Sequence, residues 1–278
     1  MRALFFFFVI IVGCSSVSAQ TLTGKIVDQL TGEPLDYANI KVIGKDIGSI
    51  SYSNGEFDIQ LPSSLTADSL RISYIGYHDR TMSIADLDLD TRYTIKLEPL
   101  VQQLSEVEIS VKQETEKLGN MKVGRTYSGW GDLESLRGRI IGTLIDEAVC
   151  PVKAKSFAFR INHNEWDSVR LRLNFLEFKD GHPGSSILSR NIFITTSLRH
   201  TWVTVNLADY DVIVCNKTMA TVEWVDAWGK TGQYGKRLTI SNSKNSGYTF
   251  RQEPGQQSGK LTFDDFAPAM YLEVFKGG

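Results

Sequence analysis

The run Asn162-His163-Asn164-Glu165-Trp166-Asp167 gathers oxygen and nitrogen donors around a single indole. Its amides and carboxylates are hard oxygen ligands of the kind calcium takes, and Trp166 offers a flat face on which a sugar ring stacks. Loops of β-scaffolds are where such sites are placed. The competing reading is a plain turn between two strands, with Trp166 folded back over the core. Asp264 and Asp265, flanked by Phe263 and Phe266, pose the same question more weakly. Trp202 precedes Val203, Val205 and Leu207 in alternation. If that trio faces the core, Trp202 stands outside with Thr204 and Asn206, which suits a carbohydrate-binding surface and equally a domain interface. Trp224, Trp228 and Val222 share one face by the period of two and are assigned to the core.

Reactive constellations are missing. There is no G-x-S-x-G and no S-x-x-K in a helical setting, and Cys150 and Cys215 fall on expected strands away from any His partner. His78, His163, His182 and His200 are scattered singly, without H-E-x-x-H or C-x-x-C. No catalytic residue, metal site or cofactor is therefore assigned, and an enzyme is not expected. That reading would return if His163, Glu165 or Asp167 lined a deep pocket.

The elements that carry these residues are β-strands. Across 278 residues, Gly is frequent at 23 and Pro sparse at 7, and Val, Ile, Thr and aromatics recur in short alternating runs. The chain is expected to be all-β and long enough for two domains. Lys and Arg number 30 against 32 Asp and Glu, so the net charge of −2 sets up no field that would steer the protein onto nucleic acid.

The first residues, MRALFFFFVIIVGCSSVSAQ, have one Arg, an apolar run over 3–12 and then small residues. The run is too short to cross a bilayer as a helix and has the three-part form of a secretory signal. Residues 1–19 are read as a signal peptide, with Val17-Ser18-Ala19 as the cleavage site and Gln20 as the mature start. Ile11-Val12-Gly13-Cys14 also resembles a lipobox, and lipidation of Cys14 would attach the protein peripherally to a membrane. Release at Gln20 is favoured, because the apolar run before Cys14 is short. Cys150 and Cys215 then remain, either as a disulfide in an oxidising compartment or as two buried thiols.

Strands are expected at 22–28, 38–42, 49–52, 56–60, 69–74 and 92–97, separated by turn residues at Thr31-Gly32, Gly44 and Asn54-Gly55. Asn54-Gly55 is the strongest hairpin signal in the chain. The sequence GKIVDQLTGEPLDYANIKVIGKDIGSISYSNGEFDI, followed by YIGYHDRTMSI, resembles the carboxypeptidase regulatory-like domain. Gly24, Asp28, Thr31, Gly32, Pro34, Leu35, Ala38, Gly55 and Phe57 stand at matching places, while Tyr52-Ser53 replaces the usual Thr-Asp. The resemblance implies a transthyretin-like Greek-key sandwich over 20–98, without peptidase chemistry of its own. It also implies a Gram-negative envelope setting, where the module often precedes receptor plugs and barrels. LSEVEISV, over 104–111, fits the acidic-hydrophobic tail that follows the module in such proteins.

Residues 99–124 are read as a connector, with 104–111 as a closing strand of the first domain or an exposed arm. Residues 125–278 are read as a jelly-roll-like β-sandwich. In it Phe157, Phe159 and Ile161 share a face, as do Val169, Leu171, Leu173 and Phe175, and Arg170, Arg172 and Asn174 lie on the back of the latter strand. Too few residues remain for a plug and a membrane barrel. The functional expectation is a non-enzymatic exported protein of the periplasm or outer membrane that binds an envelope protein partner, as an accessory to an outer-membrane assembly. The alternative is a glycan-binding protein using Trp166 or Trp202, and an uncharacterised hydrolase comes last. The two halves are expected to fold separately.

Overall fold

A computed structural model describes residues 19–100, 114–130, 137–229 and 236–276. It is all-β, with three short 3-10 turns as the helical elements among these residues. Cys14 and the stretch 104–111 lie outside the described residues.

The first sandwich contains β1 (Ala19–Asp28), β2 (Asn39–Val42), β3 (Gly48–Ile50), β4 (Glu56–Pro62), β5 (Ser69–Ser73), β6 (Arg80–Ser83) and β7 (Tyr93–Leu97). One sheet has the order β4-β1-β7 and the other β3-β2-β5-β6. Alternation works as the period of two requires: Phe57, Ile59 and Leu61 of β4 and Ile40 and Val42 of β2 all point into one core. The matching motif residues have clear physical duties. A Cβ on Gly24 would sit 2.6 Å from the Phe57 ring, so this glycine lets the ring lie against the strand. Gly55, at φ +75°, has Ile26 O within 2.6 Å of where a Cβ would stand.

The Asn54-Gly55 turn is not a hairpin. Gly55 N–H donates to Tyr52 O and Tyr52 N–H to Glu56 O, which closes a β-turn, but β3 and β4 belong to different sheets. The turn thus carries the chain around the edge of the sandwich. Turn chemistry specifies the reversal, and only the packing of two apolar faces decides which strand the emerging chain joins.

The second unit contains β8 (Thr115–Gly119), β9 (Thr126–Trp130), β10 (Ile140–Asn164), β11 (Ser168–Lys179), β12 (His182–Ser186), β13 (Ile192–Thr196), β14 (Trp202–Asn206), β15 (Ile213–Trp228), β16 (Leu238–Gln252), β17 (Lys260–Pro268) and β18 (Met270–Phe275). The backbone of its large sheet runs β12-β11-β15-β10-β16-β17. The strand β10 serves both layers: its start pairs with β15, and residues between Ala154 and Arg160 pair with β18 and β14. Two register shifts, between Ile145 and Ala148 and between Ala148 and Val152, provide the bend. Phe157, Phe159, Val169, Leu171, Leu173, Phe175, Val222 and Trp224 meet in the core enclosed by these layers.

Two readings are corrected here. Residues 115–119, assigned to a connector, pair as β8 with β18 and bury Leu118 in the second core. Trp228 is not a core residue and stands 43% exposed. In the β11–β15 ladder Leu171 faces Trp224 while Arg170 faces Asp226, so Val225 is an inserted bulge residue. Beyond it the parity flips, and Ala227 takes the core side in place of Trp228.

Cys215 is disulfide-bonded. The backbone at position 150 runs opposite it, between the pairs Ala148↔Asn216 and Val152↔Val214, though the Cys150 side chain lies outside the described residues.

Asp28 is the pivot of the motif turn. Its Oδ1 accepts the N–H groups of Thr31 (2.9 Å) and Leu30 (2.6 Å), and its Oδ2 accepts the Tyr77 hydroxyl at 2.7 Å. The Thr31 N–H, then Tyr77, hold this carboxyl below the usual carboxylate range. A depressed folded-state pKa stabilises above the unfolded-state value and ceases to do so as pH falls through the folded one. Asp28→Asn should therefore lower the unfolding midpoint at pH 7, and the gap to the parent should close on acidification. Thermal unfolding followed from pH 7 to pH 3, as a range chosen to span roughly the carboxylate pKa values, checks both signs.

Candidate functional site

The stripe Arg170, Arg172 and Asn174 on the back of β11 has a definite destination. It faces the sheet β3-β2-β5-β6 of the first sandwich, and the two units meet there. Arg172 is 3% exposed and Glu223, opposite it on β15, 6% exposed. Arg172 Nε and Nη2 both reach Glu223 Oε2, at 2.8 and 2.7 Å. The same guanidinium donates from Nη1 to Tyr37 O at 2.6 Å and from Nη2 to Asn39 Oδ1 at 3.3 Å. One side chain of the second sandwich thus holds backbone and side chain of the first.

Tyr37 forms the apolar half of the junction. It is fully buried with Ile50 and Val225, its ring stands edge-on to Phe193 at 5.4 Å, and its hydroxyl donates to Asp226 Oδ2 at 3.0 Å. Burial, reinforced by Asp226, raises its pKa. The backbone of Tyr37 lies in the left-handed region at φ 58°, an uncommon state for a bulky residue. Arg170 lies over both rings and pairs with Asp36 at 3.2 Å. Further along, Arg137 Nη2 donates to Ile50 O and Ser51 O, and Gln257 Nε2 to Val42 O and Lys45 O.

Beside this junction the sheets diverge into a cleft of about 290 Å³. That is close to the lower end of small-ligand pockets, roughly 300–1,000 Å³. The first sandwich contributes Asn39, Lys41, Arg71 and Ser73, and the second contributes Arg172, Asn174, Glu223, Gln252 and Gln257. The Arg172–Glu223 pair belongs to its wall. Lys41 Nζ donates to Gln256 O at 2.8 Å. Burial depresses the Lys41 pKa, Arg172 and Arg71 push the same way, and Glu223 and Asp46 oppose them.

The residues singled out in 162–167 do not converge on a ligand. The turn is no hairpin, because β15 lies between β10 and β11. The chain must cross the end of β15, two strand spacings or roughly 10 Å, and Asp167 N–H donates to Trp228 O on the way. Trp166 is turned inward by this crossing to 4% exposure, edge-on to Trp224 at 5.9 Å, and so plugs the core instead of standing out as a stacking platform. Glu165 pairs with Arg237 at 2.8 Å, Asn164 Oδ1 accepts Trp166 N–H, and Asp167 is exposed. His163 bonds Thr239 and contacts Tyr127 and His200 edge-on. Among the described residues no group of three or more His, Cys, Asp or Glu is placed to hold a metal ion. Asp265 is exposed on β17, and the Asp264 side chain lies outside the described residues.

Trp202 does stand on the outer face, with Val203 and Leu207 buried beneath. It is half-buried against Tyr271 at 5.1 Å, and Lys117 Nζ lies 4.7 Å from the centre of that second ring. This aromatic pair is the counterpart to the cleft on the opposite layer.

Residues 22–109 match the family model of the CarboxypepD_reg-like domain. The regulatory-like domain is thereby established for the first sandwich, and the match ends before the second. No curated protein matches the chain. Among solved structures, one titled as the infectious bursal disease virus Gx strain is 10% identical, covers 93% of this chain and has a TM-score of 0.27. The chain spans 62% of that structure's length. Another, titled as carbohydrate-binding modules of the β-sandwich superfamily, is 9% identical, covers 81% of this chain and 96% of its own, with a TM-score of 0.19. At these scores neither carries a fold or an activity over to this chain.

Removing one partner of a buried ion pair strands the other charge, at a cost of about 3–5 kcal/mol, while replacing both by apolar residues is often near neutral. Glu223→Ala should accordingly destabilise by about 3–5 kcal/mol. Arg172→Met combined with Glu223→Leu should recover most of that loss, as measured by denaturant unfolding of the two variants.

Proposed function

We propose that this chain is an exported, non-catalytic binding protein of the Gram-negative envelope, in which the two sandwiches act as one recognition unit and the cleft between them takes the ligand. The cleft is the observation that carries this reading: two separately built layers converge on it, and their shared wall is held by Arg172. Its described lining includes one carboxylate, Glu223, which is committed to Arg172, and neither His nor Cys. The lining is instead rich in amides and cations that can hold a ligand, which supports recognition.

Export rests on the signal-like residues 1–19. The envelope setting rests on the regulatory-like module. Among the described residues no helix is long and apolar enough to cross a membrane. Intact-mass measurement of the protein recovered from an envelope fraction should give a chain beginning at Gln20. A mass carrying a diacylglycerol on Cys14 would instead make it a peripheral lipoprotein.

A second reading is favoured by Trp202 and Tyr271, whose rings on the outer layer offer a stacking surface to a glycan chain. Two variants separate the sites. Asn174→Trp fills the cleft, and Trp202→Ala removes the outer ring. In thermal-shift titrations of the mature chain against a panel of mono- and oligosaccharides, amino acids and dicarboxylates, stabilisation by a ligand should be abolished by Asn174→Trp and kept by Trp202→Ala. The opposite pattern assigns binding to the outer face and overturns the cleft reading.

A further inference from the structure

We infer that the cleft selects a ligand bearing an anionic group, a carboxylate or sulfate on a molecule the size of one sugar ring, and that Lys41 is the residue that receives the charge. This rests on the cleft being the binding site and specifies what it takes.

The charges do not cancel across the lining. Arg172 and Glu223 neutralise one another, and Arg71 is paired with Asp79 outside the cleft through Nε and Nη2. Lys41 has no carboxylate within salt-bridge distance among the described residues; its one polar contact is the Gln256 carbonyl. An ammonium has three donors and no acceptor, so two N–H groups of Lys41 are left for a ligand. The same burial that depresses its pKa makes a charged lysine there costly; Glu223 and Asp46 offset part of that cost from a distance, while Arg172 and Arg71 add to it. An anion in contact with Nζ supplies the close counter-charge that this burial calls for.

Two of the four neutral amides point the same way, whereas Gln252 and Gln257 commit their Nε2 groups to Gln256 O, Val42 O and Lys45 O and turn their oxygens elsewhere. Asn39 Oδ1 accepts from Arg172, which can only donate, so the Nδ2 amide of Asn39 is necessarily the atom turned elsewhere. Asn174 Oδ1 likewise accepts the Ser186 hydroxyl at 2.6 Å, while Ser186 Oγ is itself occupied as an acceptor by Leu188 N–H. The oxygens of both asparagine amides are thus engaged inside the protein. Lys41, Asn39, Asn174 and Arg71 Nη1 supply donors that match the lone pairs of a carboxylate or sulfate, beside the oxygens of Gln252 and Gln257, which suit the hydroxyls of a sugar. The volume of about 290 Å³ limits the ligand to a monosaccharide-sized body.

The test is isothermal titration of the full mature protein with D-glucuronate, inorganic sulfate and glucose, which separate an anion on a sugar, an anion alone and a sugar alone. Glucuronate should bind more tightly than glucose, and Lys41→Met should weaken glucuronate by about 10- to 100-fold, the range for losing a hydrogen bond to a charged group. Lys41→Arg should keep affinity within a few-fold, with unfolding midpoints confirming that both variants fold. Sulfate that competes with glucuronate supports the anion as the recognised feature. Equal affinity for glucose and glucuronate, unchanged affinity in Lys41→Met, or no binding by either anion overturns the inference. A neutral ligand whose binding is lost in Asn174→Trp but unaltered in Lys41→Met would overturn it while leaving the cleft reading intact.

Discussion

The buried guanidinium of Arg172 is the constraint on which the rest of the architecture depends. Taking a charge out of water costs several kcal/mol even after relaxation, so it must be met on every side. Here Glu223 from the neighbouring strand supplies the counter-charge, and Tyr37 O and Asn39 Oδ1 from the other sandwich supply the remaining acceptors. An apolar pair would hold the layers as firmly. What the planar fork adds is direction, because its donors are satisfied in one relative placement of the two units. The cleft beside it inherits its shape from that placement.

The regulatory-like module achieves this with positions its own fold leaves unspecified. The motif residues Gly24, Asp28, Gly55 and Phe57 are consumed in turns and close packing within the first sandwich. Asp36 and Tyr37 fall between Leu35 and Ala38, where the family pattern sets no residue type. Those two make the junction, with Asp36 on Arg170 and Tyr37 inserted against Phe193 and Val225. A generic scaffold is thereby made specific to one neighbour through side chains that cost its own core nothing. The second sandwich reciprocates with Val225, which packs against Tyr37 and Ile50, and with the bulge there, which brings the next residue, Asp226, to the junction side to accept the Tyr37 hydroxyl.

Much of the fold was legible in the sequence where local chemistry decides it. The strands of the first sandwich follow from alternation and turn residues, and the two core faces around Phe157 and Val169 follow from the period of two. The site was legible only as a stripe: Arg170, Arg172 and Asn174 sit on one face of a strand whose other face is wholly apolar, a pattern that signals a second partner for the strand without saying which. Trp166 misled because loops at strand ends commonly carry function. This loop must instead cross a strand end, and the side chain that caps the crossing is the largest available. Trp228 misled because a single inserted residue inverts every later assignment on its strand, and no propensity marks Val225 as that residue.

The sequence by itself determined that the chain is all-β and that it opens with a regulatory-like module, because strand alternation, turn glycines and motif spacing are local properties written in consecutive residues. Only the tertiary structure decided that β10 would bend into both layers, that β8 would join the second sheet and that Lys41 and Asn174 would face one cleft. Those outcomes depend on which apolar and charged faces find one another across more than a hundred residues of chain, and for the walls of the cleft the buried Arg172 holds the two faces together.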